Sequence, residues 1–194
     1  MSAAAVANDP TVAASASDQG RLRAMIDAHS DFVWRALRGL GLLPHEADDA
    51  TQRVFVVASE RIDSIEMGCE RAFLFQAALR VASDHRRASR RRRDSDCTSL
   101  IQEVEAPDPS PLSDELLEMR RARVQLDLIL DTMPLEFRTV FILHELEQTA
   151  MSEIATIVGV PAGTVASRLR RARQIFRAGI ERLVEGVSLG GQEP

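Results

Sequence analysis

Apolar residues recur at helical spacing through most of the chain, and no stretch alternates as a β-strand does. From residue 21 the apolar positions follow the i, i+3, i+4 rhythm of a helix with one buried side, which Gly39 and Gly41 end. Pro44 opens a second helix, and a third begins after a loop over residues 63–70. The pattern predicts an all-α protein.

The second half of the chain predicts further helices and one recognisable motif. A helix capped by Ser113 and a largely apolar helix opened by Pro134 precede a short helix that Gly159 ends. Pro161 then opens a long helix with apolar residues at helical spacing and arginines on its other faces. A short helix, a turn with glycine and a basic second helix form the helix-turn-helix pattern, in which the second helix enters the DNA major groove.

The two ends and the middle of the chain lack this pattern. Residues 1–20 are rich in Ala and Ser with few large apolar residues, so we expect a disordered tail. Residues 94–112 contain three prolines among acidic and small polar residues, which indicates a flexible linker. The sequence thus predicts two small helical domains, 21–93 and 113–185, with a short C-terminal tail at 186–194.

The distribution of charge matters more here than its sum. The net charge of −5 argues against a nucleic-acid partner, yet all 24 basic residues are arginines and six of them fall within residues 86–93. Six more lie at 168–182, on the second helix of the motif and its continuation. A local basic stripe attracts phosphates whatever the total charge, so these clusters favour DNA binding. A solvated basic helix, or cations placed at a helix C-terminus, is the competing interpretation.

Nothing in the sequence indicates catalysis, a cofactor or a metal centre. His144 begins an HExxH-like run that fails because position 148 is Gln. Cys69 and Cys97 lack a CxxC spacing and are best explained as free thiols in a reducing cytoplasm. We see no bilayer-spanning run and no secretory signal, so we expect a cytoplasmic protein without membrane insertion.

Four segments resemble, in order, motifs of the extracytoplasmic-function (ECF) type of bacterial RNA polymerase sigma factor. Residues 46–55 are similar to the family's DAEDLVQEVF helix, and 73–87 to WLxxIAxNxxxDxxR. Residues 130–141 resemble LPxxxRxVxxL, and 153–173 resemble EIAxxLGxxxGTVKSRLxRAR, the most specific of the four. The resemblance covers about residues 21–184.

The resemblance implies a non-catalytic subunit that binds core RNA polymerase and directs transcription initiation at promoters. The first domain would be sigma region 2, which docks on the β′ clamp coiled coil and holds the −10 promoter element. The second would be region 4, which reads the −35 element through the helix-turn-helix. The β subunit, promoter DNA and an anti-sigma factor are the other partners that the resemblance implies.

The resemblance also assigns residues to three contact sets. The polymerase-binding set comprises Asp48, Asp49, Gln52, Arg53 and Phe55. The −10 set comprises Phe73, Arg80, Asp84, Arg87, Arg90 and Arg91. The −35 set comprises Ala162, Gly163, Thr164, Ser167, Arg168 and Arg171.

Two residues of the −35 set have distinct expected roles. Arg171 is our choice for bidentate guanine recognition, since residues near the start of a recognition helix approach base edges. Arg168 has a competing role as an ion pair with Glu153, and we expect this brace to outweigh its contact with DNA. Thr149 is a candidate cap for the first helix of the motif, because Ala150 cannot cap it.

Three other classes of protein are alternatives. A stand-alone helix-turn-helix regulator would need no polymerase, but the acidic helix at 46–55 and the separate arginine run at 86–93 speak against it. An enzyme lacks any supporting motif in this sequence. A structural helical adaptor, such as an inactive sigma-like protein, would share the fold without supporting transcription.

Overall fold

The computed structural model describes residues 10–95 and 114–189, and these two ranges are almost entirely helical. The seven α-helices are α1 (Pro10–Gly39), α2 (Pro44–Glu60), α3 (Glu70–Ser95), α4 (Asp114–Asp131), α5 (Leu135–Phe141), α6 (Met151–Val158) and α7 (Ala162–Leu189). A 3-10 turn (Ile62–Ser64) follows α2, and a π-helical turn (Ile142–Leu146) continues α5. Neither range contains a strand, so the expected all-α class is confirmed.

Local chemistry explains the sharp break between α1 and α2. Gly41 has a φ of 101°, a conformation that favours glycine. Pro44 occupies the first turn of α2, where a missing N–H costs nothing. The Leu43 N–H donates to Glu46 Oε2 at 2.8 Å, which satisfies one of the free donors at the start of the helix.

Two helices extend into segments that we expected to be unstructured. α1 begins at Pro10, so residues 10–20 are helical, in keeping with the high helix propensity of their alanines. α7 continues to Leu189, into the predicted C-terminal tail. Most of the predicted linker, residues 96–112, lies outside the described residues, as do residues 1–9 and 190–194.

The main hydrophobic core joins the two halves of the chain. In the N-terminal helices α1–α3 it includes Val33, Val54 and Leu74, which have no exposed surface. The same cluster continues into Leu143 and Ile154 of the C-terminal segments. A smaller cluster packs α4, α5 and α7 together. The structure thus packs the N-terminal and C-terminal helices against each other around a shared core.

The predicted helix-turn-helix is formed by α6, a short turn and α7. Gly159 ends α6 with a φ of 69°, and its N–H donates to Ala155 O at 2.9 Å. Pro161 O accepts the Thr164 N–H at 2.9 Å at the start of α7. The proposed Thr149 cap is wrong: its hydroxyl is buried without a partner among the described residues, and α6 has no side-chain cap.

Candidate nucleic-acid interface

The first turns of α7 present a polar side away from the core. Val165 and Leu169 are buried and hold one side of the helix against the molecule. Residues four positions apart share a helix side, so the opposite side carries four members of the −35 set. This recognition face comprises Gly163, Thr164, Ser167 and Arg171.

The recognition face is open and rich in donors. Apart from its chain neighbours and the backbone of its own helix, no atom lies within 4 Å of where a Cβ on Gly163 would stand, so a DNA groove could approach the backbone closely. Ser167 Oγ donates to Thr164 O at 2.9 Å, and Arg171 Nη1 donates to Gln174 Oε1 at 3.1 Å. Arg171 therefore keeps most of its N–H groups available, while Ala162 is exposed at the helix start.

The expected ion pair between Arg168 and Glu153 does not form. Glu153 instead lies 3.9 Å from Arg71 Nη1 of α3. Arg71 is held in that position because its guanidinium lies 4.4 Å from the centre of the Phe32 ring and donates to Glu147 O at 3.0 Å. Within the described residues half-buried Arg168 has no ion-pair partner, so the expected brace between Arg168 and Glu153 is wrong.

The other arginines of α7 differ in whether they form an ion pair within the protein. Arg173 Nη2 lies 2.6 Å from Glu145 Oε1, and this pair ties α7 to the π-helical turn. Arg170 and Arg177 are exposed and have no partner in the described part of the chain. These two side chains suit phosphate contacts beside the recognition face.

A second polar stripe runs along α3 at spacings of three and four residues. It contains four members of the −10 set together with Gln76, which the sequence did not single out. This α3 stripe comprises Phe73, Gln76, Arg80, Asp84 and Arg87.

The members of the α3 stripe differ in exposure. Arg80 is exposed, and the exposed pair of Arg87 with Asp84 at 3.5 Å holds those two side chains together. Phe73 is half-buried against the main core. Arg91 is exposed one turn further on, whereas the side chain of Arg90 lies outside the described residues.

The expected polymerase-binding set is mostly exposed on α2. Asp48, Asp49, Gln52 and Arg53 all face solvent, and Asp48 Oδ1 accepts a hydrogen bond from Trp34 Nε1 at 2.8 Å. Phe55 is the exception, since only 8% of it is exposed and it packs in the main core. Phe55 therefore supports α2 from inside the core, and this burial contradicts its assignment as a polymerase-contact residue.

Several arginines that the sequence did not assign lie where the two halves meet. Arg138 is 1% exposed; its Nε donates to Gly39 O at 2.6 Å and its Nη1 to Asp131 Oδ1 at 2.7 Å. Burial lowers the pKa of Arg138, and Asp131 opposes that shift. A lone arginine inside an apolar helix was the signal in the sequence, but its partners were not readable there.

The pair of Arg35 with Glu147 also crosses between the two halves. Arg35 donates from Nε to Glu147 Oε1 at 3.0 Å and from Nη2 to Oε2 at 2.9 Å, a two-pronged contact. These hydrogen bonds raise the pKa of Arg35 above its usual value. The π-helical turn positions the carboxylate, because the Glu147 N–H donates to Ile142 O at 3.0 Å.

The described ranges contain neither a metal site nor a membrane-spanning helix. No group of three or more His, Cys, Asp or Glu residues within 10–95 and 114–189 is placed to hold a metal ion. No helix in those ranges is long and apolar enough to cross a membrane.

A helix-turn-helix with an open basic face, together with a second polar stripe on α3, defines a DNA-binding protein of the all-α class. Residues 123–175 match the family described as Sigma-70, region 4. The ECF RNA polymerase sigma factor SigE of Mycolicibacterium smegmatis is 29% identical over 153 residues, which cover 79% of this chain and 59% of that protein. The ECF RNA polymerase sigma factor SigW of Bacillus subtilis is 25% identical over 171 residues, covering 82% and 89%.

The fold itself has a relative of known structure. Sigma factor RpoE from Bartonella quintana, solved in complex with the anti-sigma factor NepR, superposes with a TM-score of 0.63 at 22% identity. The superposition covers 82% of this chain and 96% of that one. Residues 123–175 thus match sigma-70 region 4, and the chain is similar to ECF RNA polymerase sigma factors over most of its length.

Proposed function

We propose that this chain binds core RNA polymerase and directs promoter-specific initiation through the −10 and −35 elements. Residues 21–93 would act as region 2 and residues 113–185 as region 4. The observation that carries this proposal is the recognition face, which lies exposed on the second helix of the motif inside the region 4 match. Such a subunit works beside the polymerase in the cytoplasm and carries out no chemistry of its own.

The recognition face suits the −35 element in the major groove. Gly163 and Ala162 allow close approach, and the hydroxyls of Thr164 and Ser167 can bond a base edge or a phosphate. Arg171 has free N–H groups for the two acceptors of a guanine. Sequence choice at this element would therefore rest mainly on Arg171.

The α3 stripe suits the −10 element. Arg80, Arg87 and Arg91 are exposed in a row, which favours the phosphates of one strand. Unstacked bases need a pocket that offsets part of the unstacking cost. The loop at residues 63–70 borders the start of α3 and would help to form that pocket with half-buried Phe73.

The exposed side of α2 is the proposed dock for the polymerase β′ clamp. Asp48, Asp49, Gln52 and Arg53 form a mixed, mainly acidic surface that no other described element covers. An anti-sigma partner is also part of the proposal, supported by the B. quintana RpoE structure, which holds the anti-sigma factor NepR.

Footprinting distinguishes this proposal from a stand-alone regulator. DNA fragments would be selected for binding with core polymerase plus this chain, and the protected bases mapped. We expect two separated protected patches, of which Arg171→Ala weakens only the upstream one. Arg23→Ala, an exposed arginine of α1 with no partner among the described residues, serves as the control. Protection of a palindromic site by the chain alone, without any effect of polymerase, would contradict the proposal and favour the regulator.

A further inference from the structure

A hydrogen bond ties the proposed polymerase-binding surface of α2 to α1. Trp34 of α1 donates from its indole Nε1 to Asp48 Oδ1 of α2 at 2.8 Å. Trp34 is the only tryptophan of the chain, and it belongs to none of the three contact sets. The other exposed side chains of the polymerase-binding set make no side-chain hydrogen bond or ion pair within the described residues; they are Asp49, Gln52 and Arg53. Asp48 is therefore the member of the set whose position α1 fixes.

The core holds the indole ring in place. Trp34 is half-buried and packs against the main core, and its neighbours Val33 and Leu37 on α1 have no exposed surface. An indole N–H can only donate, and a tryptophan whose ring is half-buried normally finds an acceptor for it. Asp48 is exposed, so water could satisfy its carboxylate without the ring. The hydrogen bond therefore orients the Asp48 carboxylate rather than compensating a buried charge.

Carboxylates flank the accessible part of the ring. Asp31 lies three residues before Trp34 on α1 and is exposed, and side chains three residues apart are neighbours on a helix surface. Asp48 lies on the other helix at hydrogen-bond distance from the ring. The next residue of α1, Arg35, interacts with Asp31 electrostatically but directs its N–H groups to both oxygens of Glu147. The ring thus lies between two carboxylates whose charge attracts a cation.

This arrangement suits the side chain of an arginine or a lysine. A cation over the face of an indole is attracted by the ring, and tryptophan is the best of the aromatic side chains for this contact. The second carboxylate oxygen of Asp48, Oδ2, has no partner among the described residues, so it can accept a hydrogen bond from the same cation. A carboxylate that is oriented before binding loses less freedom when its partner arrives, which favours tight binding.

We propose that Trp34 is a positioning residue of the polymerase dock, which holds the Asp48 carboxylate ready for an arginine or lysine side chain of core polymerase. The inference rests on the proposed function. It extends the docking surface from α2 to α1 and names the chemistry of the group that the surface receives. Because Trp34 acts through Asp48, its contribution to polymerase binding should disappear when that carboxylate is absent.

The indole N–H itself shows whether the hydrogen bond forms in solution. A chain with isotopically labelled nitrogen gives a single indole N–H signal in an NMR spectrum, because Trp34 is the only tryptophan. We expect Asp48→Ala to move this signal towards the position of an indole exposed to water. Asp49→Ala, the matched change at the adjacent carboxylate, should leave it in place. A signal that responds to neither variant, or equally to both, would overturn the contact on which the proposal depends.

A thermodynamic cycle measures the role of Trp34 in docking. Trp34→Phe keeps an aromatic ring against the core but removes the donor, and it is combined with Asp48→Ala in the full chain. Trp34→Phe should weaken binding to core polymerase by about fivefold to tenfold, as expected when one hydrogen bond of ordinary strength is lost. In the chain that already carries Asp48→Ala, the same change should weaken binding by less than about twofold. Urea unfolding of each chain checks that the fold is retained.

Asp49→Ala provides the matched background for this cycle. Asp49 is exposed beside Asp48 but makes no hydrogen bond with Trp34, so Trp34→Phe should keep its full effect in the Asp49→Ala chain. Replacing Trp34 by benzothienylalanine, which has sulfur in place of the N–H, repeats the test with a ring system of nearly the same size. An equal loss of binding in all three backgrounds would show that Trp34 acts through packing and would overturn the proposal, as would no loss in any of them.

Salt dependence tests the charge of the group that the surface receives. Salt screens the attraction between opposite charges at an exposed site. The loss of affinity for core polymerase caused by Asp48→Ala should therefore be largest at low salt and should shrink as the salt concentration rises. A loss of the same size at every salt concentration would contradict a cationic partner.

Failure of this inference and failure of the proposed function are distinguishable. If the parent chain binds core polymerase and supports promoter-specific transcripts while the effects of Trp34→Phe and Asp48→Ala are additive, the proposed function stands and the positioning role of Trp34 fails. If the parent chain does not bind core polymerase, the proposed function fails and the docking role of Trp34 with it, whatever the indole signal shows.

Discussion

Arginines at the contact between the two halves are paired with oxygens of the protein, whereas several arginines on α7 are not. Arg35, Arg86 and Arg138 direct their N–H groups at carbonyl and carboxylate oxygens of other segments of the chain. Arg170 and Arg177 project into solvent without a partner in the described chain. The difference shows that a count of arginines does not locate a DNA surface, because the acceptors that the fold brings near decide each one's role.

The largest expected effect is on stability, from Arg138. Arg138→Met fills the space but leaves the end of α1 without its donor, so the free energy of unfolding should fall by about 2–4 kcal/mol. Arg177→Met, the matched change on α7, should alter it by less than about 0.5 kcal/mol. Urea unfolding of both variants measures this contrast, and similar losses would break the distinction between the two groups.

The next effect concerns DNA and separates two arginines of α7. Arg171→Ala should cost about 1–3 kcal/mol in binding to the −35 element and relax base preference at one position. Arg177→Ala should weaken binding to all sequences equally and lower the salt slope by about 1. Binding titrations of the polymerase-bound chain at several salt concentrations measure the binding free energy and its salt dependence. If Arg171→Ala lost the same binding free energy on every sequence, Arg171 would be a phosphate contact rather than a base contact.

A smaller effect is expected for the accessible pair across the two halves. Arg35→Ala, Glu147→Gln and the double variant form a thermodynamic cycle whose coupling energy should be about 1 kcal/mol, since half of the Arg35 side chain faces solvent. Urea unfolding of the four chains gives this value. Additive losses would show that the pair does not connect the halves energetically.

The smallest effect is the pH dependence of Glu70. Burial alone would raise the pKa of Glu70, but hydrogen bonds from its own backbone N–H, from Arg21 and from the Gly68 N–H outweigh it and lower the pKa below 4.5. The stabilisation is therefore complete above pH 4.5 and is lost as the pH falls through the lower folded-state value.

Glu70→Gln removes the titrating carboxyl and tests that dependence. The parent chain should exceed the variant in unfolding free energy at pH 7 by less than about 1 kcal/mol, and the difference should shrink on acidification. Urea unfolding curves of the two chains at pH 7 and at an acidic pH measure this difference. A difference that grows as the pH falls would contradict the direction of the shift.

Local signals made several helix boundaries predictable from the sequence, but not the start of α1 or the end of α7. Gly39 and Gly41 end α1, Pro44 begins α2 and Gly159 ends α6, because each acts on its own backbone. The recognition face was equally predictable from the sequence, since helical spacing alone places Gly163 and Ser167 on one side of α7.

Side-chain contacts between distant segments of the chain could not be predicted from the sequence in this way. Glu153 was assigned to Arg168 from the helix-turn-helix alone, whereas Arg71 of a distant helix competes for it. Phe55 belongs to a motif that the resemblance links to polymerase, yet its side chain completes the core. Gln76 carried no signal, because its role depends on where α6 packs.

Run-off transcription with purified core polymerase is the most direct test of the claim that this chain confers promoter specificity. Templates would carry fragments selected for binding, and reactions would be run with and without the chain. We predict transcripts from one defined start site only when the chain is present, and their loss when Arg171→Ala weakens the −35 contact. Transcripts that are the same with and without the chain would contradict the account.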